Sequence, residues 1–589
     1  EKAFQQGCTY GFFGRIGMSK LGHLQMTHPD FQKVEEPQEG GEGQTDESDR
    51  ILPVYPLVGG LTQKDMRRWT KLALAQEDQL ADYLPPSTLQ RNRLCDLSYA
   101  LNNIHYPEDR ERYKEAKFRL IFDELLLLQT GLLMTRRKLE HQNSGIRFSD
   151  RYQPKDFTSS LPYPLTGAQK RVLEEIEADM ESDKVMNRLV QGDVGSGKTA
   201  VAAAALYKAV KSGYQGVLMA PTEILATQHY EGLSQQFALF GIAVGFLSGT
   251  VGAKDRRNVL ERLKNGQIQI LIGTHALIQD DVVFRNLGLV ITDEQHRFGV
   301  NQRSLLGEKG DHPDTLVMTA TPIPRTLAVV LYGDLDISVI DQLPPGRKPV
   351  ITKALNGKQR TQAYEFMARE IRKGRQAYVV APLIEDSEQL NARSATEIYE
   401  ELTVAYPEFS AALLHGAMKQ KEKDRIMADF YSGSVQLLVS TVVIEVGINV
   451  PNATIMVIEN AERFGLAQLH QLRGRVGRGE HQSYCLLISE NESQISKQRA
   501  EIMASTNDGF VIAEEDLKLR GPGEFFGVRQ HGVPELKLAD LGKHARILGA
   551  ARSEANFILQ EDPTLSHEEN QPLKQRIQTL FHQVEELRL

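Results

Sequence analysis

Gly192-Asp193-Val194-Gly195-Ser196-Gly197-Lys198-Thr199 is the stretch on which the reading of this chain turns. A short apolar run, Leu189-Val190, precedes it, and Ala200-Val201-Ala202-Ala203-Ala204-Ala205-Leu206, a strong helix former, follows. Strand, glycine-rich turn and helix, in that order, are the setting of a phosphate-binding loop. Gly192, Gly195 and Gly197 let the backbone bend until several N–H groups face one anion. The N-terminus of the following helix adds the positive end of its dipole. Lys198 then neutralises the β- and γ-phosphates, and the Thr199 hydroxyl ligates Mg²⁺. The bland alternative is a glycine-rich turn that matches by chance, and the flanking strand and helix weigh against it. All eight residues, with Asp193, Val194 and Ser196 among them, form the candidate nucleotide-binding segment. The prediction is a nucleoside triphosphate site within an α/β domain.

Outward from the loop, from about Phe157 to Ile340, apolar runs and helical patterns alternate as a parallel sheet requires. Candidate strands are Leu189-Val190, Val217–Ala220, Ile268–Ile272, Leu289–Thr292 and Leu316–Thr319. Leu343-Pro344-Pro345-Gly346-Arg347 breaks the pattern and reads as a linker. A second alternating unit follows, with strands near Ala377–Ala381, Ala411–His415, Leu437–Ser440, Ile455–Ile458 and Tyr484–Ile488. The architecture is therefore two α/β domains in tandem, residues 157–345 and 346–490. Residues 491–589 read as mostly helical, apart from a glycine-rich passage between Arg520 and Gly532. Residues 58–156 read as a helical spacer or brace, with one long helix over Lys117–Leu139. Residues 1–57 hold short apolar stretches and many glycines, and read as part of a small β-domain. There, Phe12 and Phe13, near Arg15 and Lys20, are candidates to stack on nucleic-acid bases; equally, they fill a small core.

The bulk composition narrows the classes. The chain of 589 residues suggests about four domains, and its 41% hydrophobic and 25% charged residues are those of a globular protein. Its three cysteines, Cys8, Cys95 and Cys485, have no metal-ligand spacing, which fits a reducing cytoplasm and argues against a disulfide framework or zinc site. No run approaches the roughly 18 apolar residues of a membrane span. Leu125–Met134 is short, bounded by charges, and reads as one helix of a core. No signal peptide is visible. The net charge of −8 does not suggest a nucleic-acid partner. However, seven acidic residues crowd between Glu35 and Asp49 in what reads as a disordered loop, so basic surface elsewhere remains open.

Three further constellations carry chemistry. Leu289-Val290-Ile291-Thr292-Asp293-Glu294 is a buried-type strand ending in two carboxylates. At the strand's carboxyl edge Asp293 can hold Mg²⁺ through water while Glu294 orients the attacking water; the bland reading is solvated turn acids. Thr166 and Gln169 fit a capping box at the start of an amphipathic helix carrying Val172, Leu173, Ile176 and Met180. Alternatively, the Gln169 amide recognises adenine. In the second unit, Gln468–Arg478 puts Arg473, Arg475 and Arg478 close together. Arginines from a second domain can complete a phosphate site, and Arg475 and Arg478 would stabilise charge on the γ-phosphate, an effect of roughly 10³–10⁵-fold in other phosphoryl-transfer enzymes. An exposed basic turn, or a DNA phosphate contact by Arg473, is the alternative.

The series Gly192–Thr199, Ala220-Pro221-Thr222-Glu223, Gly273-Thr274-His275, Asp293-Glu294-Gln295-His296, Thr319-Ala320-Thr321 and Gln471–Arg478 resembles the ordered motif set of superfamily 2 helicases. Asp293–Val300, Met318–Thr326 and Gln468–Arg478 together resemble the RecG family of branched-DNA helicases. The coupling factor that removes stalled RNA polymerase is similar in these segments. Gly509–Gly523 resembles the translocation motif that the two families share. The β-domain before the motor, and the lack of room for polymerase-binding modules, favour RecG.

That resemblance implies two RecA-like motor domains, preceded by an OB-like wedge domain (1–57, partial) and a helical linker (58–156), and followed by the translocation motif and a helical segment (491–589). It implies that the wedge begins before Glu1, and that the acidic Glu35–Asp49 loop is an insertion. It implies ATP and Mg²⁺, with Lys198, Glu294, Arg475 and Arg478 catalytic and Gly447 sensing nucleotide across the cleft. Thr222, Thr274 and Thr441 would contact phosphates of the tracked DNA strand, as backbone-positioning donors that read no bases. Arg520 with Gln530 would convert cleft closure into DNA movement, and Phe12 or Phe13 would split the strands. The implied partners are forks and Holliday junctions, with single-stranded-DNA-binding protein possible. The implied setting is a bacterial, nucleoid-associated, cytoplasmic monomer. Rival functions are an RNA helicase, a polymerase-displacing translocase, and a non-catalytic junction-binding scaffold; the intact catalytic set speaks against the last.

Overall fold

The computed structural model describes residues 7–13, 16–18, 23–26, 30–34, 51–76, 80–142, 145–293, 305–319, 324, 328, 335–344, 346–382, 388–441, 450–490, 493–520 and 536–582; at 9, 11, 13, 30–34, 138–142, 388–394, 420, 520 and 582 the backbone alone is described. The chain divides into two compact units. The larger comprises Leu132–His531 with Asp540–Ala545, and the other comprises Glu1–Gly131, Gly532–Ala539 and Arg546–Leu589.

Strands are numbered along the chain. In the first unit are β1 (Thr9–Phe13), β2 (Ile16–Met18), β3 (Leu24–Met26) and β4 (Asp30–Val34). In the larger unit follow β5 (Asn187–Gly192), β6 (Gln215–Met219), β7 (Val244–Leu247), β8 (Ile270–Gly273), β9 (Leu287–Thr292), β10 (Asp314–Thr319) and β11 (Asp336–Ile340). These seven form one sheet, in the order β11-β5-β10-β9-β6-β8-β7, and the paired strands run parallel. Then come β12 (Ile351–Asn356), β13 (Gln376–Val380), β14 (Ala411–Leu414), β15 (Leu437–Ser440), β16 (Ala453–Ile458) and β17 (Tyr484–Ser489). They form a second parallel sheet, in the order β12-β17-β16-β13-β15-β14.

Both sheets are covered on both faces, which is why their central strands are continuously apolar. Successive side chains of a strand point to opposite faces. Leu218, Leu289 and Ile291 accordingly enter one core with the helix Lys198–Lys211, while Val217, Met219 and Val290 enter the other. The second sheet divides likewise: Tyr378, Val380 and Leu438 on one side, Ala377, Val379 and Val439 on the other. The tandem parallel-sheet architecture read from the sequence is present. No helix among the described residues is long and apolar enough to cross a membrane.

In the smaller unit β1 pairs antiparallel with β4, and β2 with β3. Among the described residues these are two ribbons, which by themselves do not establish the partial OB-like wedge expected there. The helices of this unit include Gln63–Leu74, Pro86–Asn92, Leu97–His105, Ala545–Glu561 and Gln571–His582. The long helix expected at Lys117–Leu139 extends over Arg110–Gln142, and Leu125, Leu126 and Leu128 on it are fully buried. At Gly131 an added Cβ would run into the Phe581 ring, so the chain carries glycine inside this helix despite its low propensity. The Glu124 carboxylate receives the backbone N–H groups of Lys537, Leu538 and Ala539 at 2.8–3.0 Å. Buried Arg119 bonds Asp123 and Asp82.

Candidate functional site

The strands of a parallel sheet present their carboxyl ends on one edge, where ligands of such folds collect. β5 delivers Gly192–Gly197, and the helix Lys198–Lys211 begins at once. Gly195 and Gly197 have φ of +77° and +84°, a left-handed backbone that glycine alone adopts without penalty. Lys198 Nζ donates to Gly192 O (2.7 Å) and Asp193 O (3.0 Å). Ser196 Oγ is buried with no hydrogen-bond partner among the described residues. A buried, unpaired hydroxyl inside a turn of glycines is the kind of group that a phosphate oxygen would satisfy. Thr199 follows Lys198 in the first turn of the helix.

From β9 comes Asp293, buried, its N–H bonded to Met219 O at 2.9 Å. Its Oδ2 lies 2.9 Å from Nε2 of buried His229, on the helix Glu223–Ala238. A histidine holding a carboxylate in one orientation is the arrangement expected behind a metal ligand. Sequence reading passed over His229, because only the fold brings it to Asp293. Thr199 and Asp293 thus fit an Mg²⁺ site by their oxygen donors. Glu294, Gly447 and Gln530 lie outside the described residues, as do the side chains of Phe13 and Arg520.

Gln169 makes the capping contacts that its spacing allowed. Its Oε1 accepts from Thr166 N (2.8 Å), its N–H donates to Thr166 Oγ1 (3.2 Å), and its Nε2 donates to Ser196 O (2.8 Å). It closes a capping box and braces the phosphate loop in one move. Thr222 likewise caps its helix, accepting from Leu225 N. Thr274 follows β8 and is buried, and Thr441 follows β15 with its buried hydroxyl unpartnered among the described residues. Thr274 and Thr441 directly follow their strands, and Thr222 lies three residues beyond the end of β6. Phe12, on β1, is 47% exposed, which favours a surface role over core filling.

The second domain and the segment after it reach the phosphate loop at several points. His470 Nε2 lies 2.6 Å from Asp193 Oδ1, and the Gly509 N–H reaches Asp193 Oδ2 at 3.3 Å. His470 Nδ1 is 2.9 Å from Arg473 Nη2, and Arg473 Nη1 bonds the carbonyls of Met503 (2.7 Å) and Thr506 (2.8 Å). Asp193 therefore bonds the start of the helix Gly509–Arg520 directly, and through His470 and Arg473 it is linked to the end of the preceding helix, Gln494–Ser505. Burial acts to raise the Asp193 carboxyl, but the His470 bond and charge, the Val194 N–H and Lys198 together hold it below the usual carboxylate range. Gly474 abuts the loop, since an added Cβ would meet Val194 Cβ at 3.0 Å. Arg475 is buried, and Arg478 Nε donates to Gly474 O at 3.1 Å. The charges of both arginines act on the buried Tyr378 hydroxyl, which burial pushes up to about 12. Arg473, given a DNA phosphate as its alternative, is instead buried and bonded within the protein.

A phosphate loop on one parallel-sheet domain, approached by an arginine turn from a second, defines a two-domain helicase-type NTPase. Known families agree: a DEAD/DEAH box helicase model matches residues 166–330, and a helicase conserved C-terminal domain model matches 359–480. A third model, ATP-dependent DNA helicase RecG domain 3, C-terminal, matches 506–585. The ATP-dependent DNA helicase RecG of Bacillus subtilis (strain 168) is 50% identical over 89% of this chain and 77% of its own length. The Synechocystis RecG is 49% identical over 88% of this chain and 62% of its own length. A solved structure of RecG bound to a three-way DNA junction superposes with a TM-score of 0.70 at 42% identity, covering 91% of this chain and 70% of that one. The chain belongs to the RecG family of ATP-dependent DNA helicases.

Proposed function

We propose that this chain is an ATP-driven translocase on double-stranded DNA that remodels branched structures, reversing stalled forks and migrating Holliday junctions. One observation carries the reading: Asp193 of the phosphate loop bonds the Gly509 N–H at the start of the Gly509–Arg520 helix, and His470 and Arg473 link the same carboxylate to Met503 and Thr506 just before it. Nucleotide state and the translocation motif thereby share one hydrogen-bonded path. The relative solved with a three-way junction supports the choice of substrate.

Residues 157–345 and 346–490 serve as the two motor domains, 491–589 as the translocation segment, 58–156 as the linker and 1–57 as the wedge. The loop N–H groups and Lys198 bind the triphosphate. Thr199 and Asp293 would hold Mg²⁺, which when bound supplies a Lewis acid to the phosphate oxygens. Glu294 orients the attacking water, Arg475 and Arg478 face the charge that develops, and Gly447 senses nucleotide across the cleft. Gln169 keeps the loop in shape whether or not its edge also meets adenine. Thr222, Thr274 and Thr441 grip the tracked backbone, while Arg520 and Gln530 convert closure into a step. The protein acts as a monomer in the bacterial cytoplasm, at the nucleoid, and single-stranded-DNA-binding protein is a partner by family likeness.

The test pairs ATP-dependent unwinding of a three-way DNA junction with DNA-stimulated phosphate release. The parent unwinds the junction and not an RNA duplex. Lys198→Ala and Glu294→Gln each lower turnover by about 10²–10³-fold, the scale of one lost stabilising group. Activity on RNA alone would sink the substrate choice, and parent-like rates in both variants would sink the site.

A further inference from the structure

Arg347 lies in the Leu343–Arg347 stretch that joins the two sheets, and nothing in its sequence setting marks it as more than a linker residue. In the fold its Nη1 donates to the Val194 carbonyl in the phosphate loop, and its Nε donates to Gly477 O at 3.2 Å. A Cβ built on Gly195 would stand 3.1 Å from Arg347 Cζ and 3.6 Å from Nη2. The guanidinium therefore lies directly against the loop, and only glycine at 195 leaves it room. Gly477, with φ of +80°, is the turn between Arg475 and Arg478. One side chain thus bridges the loop that holds phosphate and the turn that carries the arginines.

The bridge has an electronic consequence. Val194 C=O and Gly195 N–H are the two ends of one peptide group. In a phosphate cradle the N–H ends face the anion, so a cation on the carbonyl end polarises the unit and strengthens its N–H as a donor. Because Arg347 takes a carbonyl, it leaves the N–H face open. The planar fork of arginine reaches two acceptors at once, which a lysine ammonium on its flexible stem does not reproduce.

We propose that Arg347 is a positioning residue for phosphoryl transfer, which fixes the spacing between the phosphate loop and the Arg475–Arg478 turn and strengthens the Gly195 N–H toward phosphate. The proposal rests on the ATP-driven reading above. It is tested in the full chain with Arg347→Ala and Arg347→Lys, by DNA-stimulated phosphate release, by turnover-free binding of a fluorescent ATP analogue, and by thermal melting. Arg347→Ala should lower kcat by about 10²-fold, the cost of misplacing a reacting group by about an ångström, and weaken nucleotide binding as well. Arg347→Lys should recover binding to within about twofold and leave kcat at least about tenfold low, because charge returns but the bridge does not. An alanine variant with parent-like kcat, or a lysine variant with fully restored kcat, overturns the proposal. So does a melting temperature that falls equally in both variants along with equal losses of activity, which would make Arg347 a structural pin. A parent that releases no phosphate with DNA overturns the ATP-driven reading instead, and so separates the two failures.

Discussion

At the scale of single residues, the site shows how a side chain far away in sequence fixes one that is legible. Asp293 announces itself at the end of an apolar strand, but its carboxylate is held by His229, 64 positions earlier in the chain. If Asp293 serves Mg²⁺, loss of this partner leaves the ligand in place and misoriented. Outer-shell partners of this kind typically cost 10–100-fold in metal affinity. His229→Ala should therefore raise the Mg²⁺ concentration needed for half-maximal binding of a fluorescent ATP analogue by about tenfold or more, while His229→Gln, which keeps a donor, recovers part of it. An unchanged Mg²⁺ titration in both variants would show that the contact is only packing. Gln169 teaches the converse. Its spacing from Thr166 allowed both a cap and an adenine contact, and the fold assigns both ends of its amide to the protein. Spacing identifies which residues can act, but not which atoms are already engaged.

At the scale of elements, a carboxylate ties two helices of the smaller unit together. Glu554, on Ala545–Glu561, accepts from Thr88 (2.8 Å), Arg91 (2.6 Å) and Asn92 (3.0 Å), all on Pro86–Asn92. Burial acts to raise its pKa, but the bonds from Arg91, Asn92 and Thr88 outweigh it and leave the carboxyl lower than usual. A depressed carboxylate contributes stability that is complete above the unfolded value, about 4.3 for Glu, and is lost as pH falls through the folded one. Glu554→Gln should cost about 1–3 kcal/mol at neutral pH, and the gap to the parent should close in acid. Urea unfolding followed at Trp69, the chain's single tryptophan, reports on this unit; a gap that is the same at every pH would contradict the assignment. The strands were unevenly legible. The central ones, such as β9 and β13, stood out as apolar runs because helices cover both their faces. β7, β11 and β12 were missed, and all three are sheet edges. β12, with Thr352, Lys353 and Asn356, is largely exposed. Half-covered strands have less reason to be continuously apolar. Arg347 was missed for a related reason: a linker's sequence records that the sheets end, not what its side chains reach.

At the scale of the whole molecule, a net charge of −8 must be reconciled with a polyanionic partner. The acidic residues between Glu35 and Asp49 account for much of that charge, so the rest of the chain is nearer balance than the total suggests. Phosphate contacts release counterions, and junction affinity should accordingly fall linearly on a log–log plot against salt, without preference for base sequence. The smaller unit offers a candidate for strand separation in Phe12. Its ring is 47% exposed on β1, opposite Phe31 of β4. An exposed aromatic on a two-stranded ribbon can stack on an unpaired base, an interaction worth roughly 1–3 kcal/mol per base. If Phe12 is where the duplex parts, its ring acts after ATP has been hydrolysed and the DNA moved. Phe12→Ala should then reduce the rate of junction unwinding by roughly 5- to 150-fold, the same energy expressed as a rate. DNA-stimulated phosphate release should fall far less, so that more ATP is consumed per junction opened. Phe12→Tyr, which preserves the ring, should restore the coupling. If unwinding and phosphate release fell in equal proportion, Phe12 would be contributing to binding or folding and the parting of the strands would have to lie elsewhere. If neither changed, β1 would be no part of the wedge.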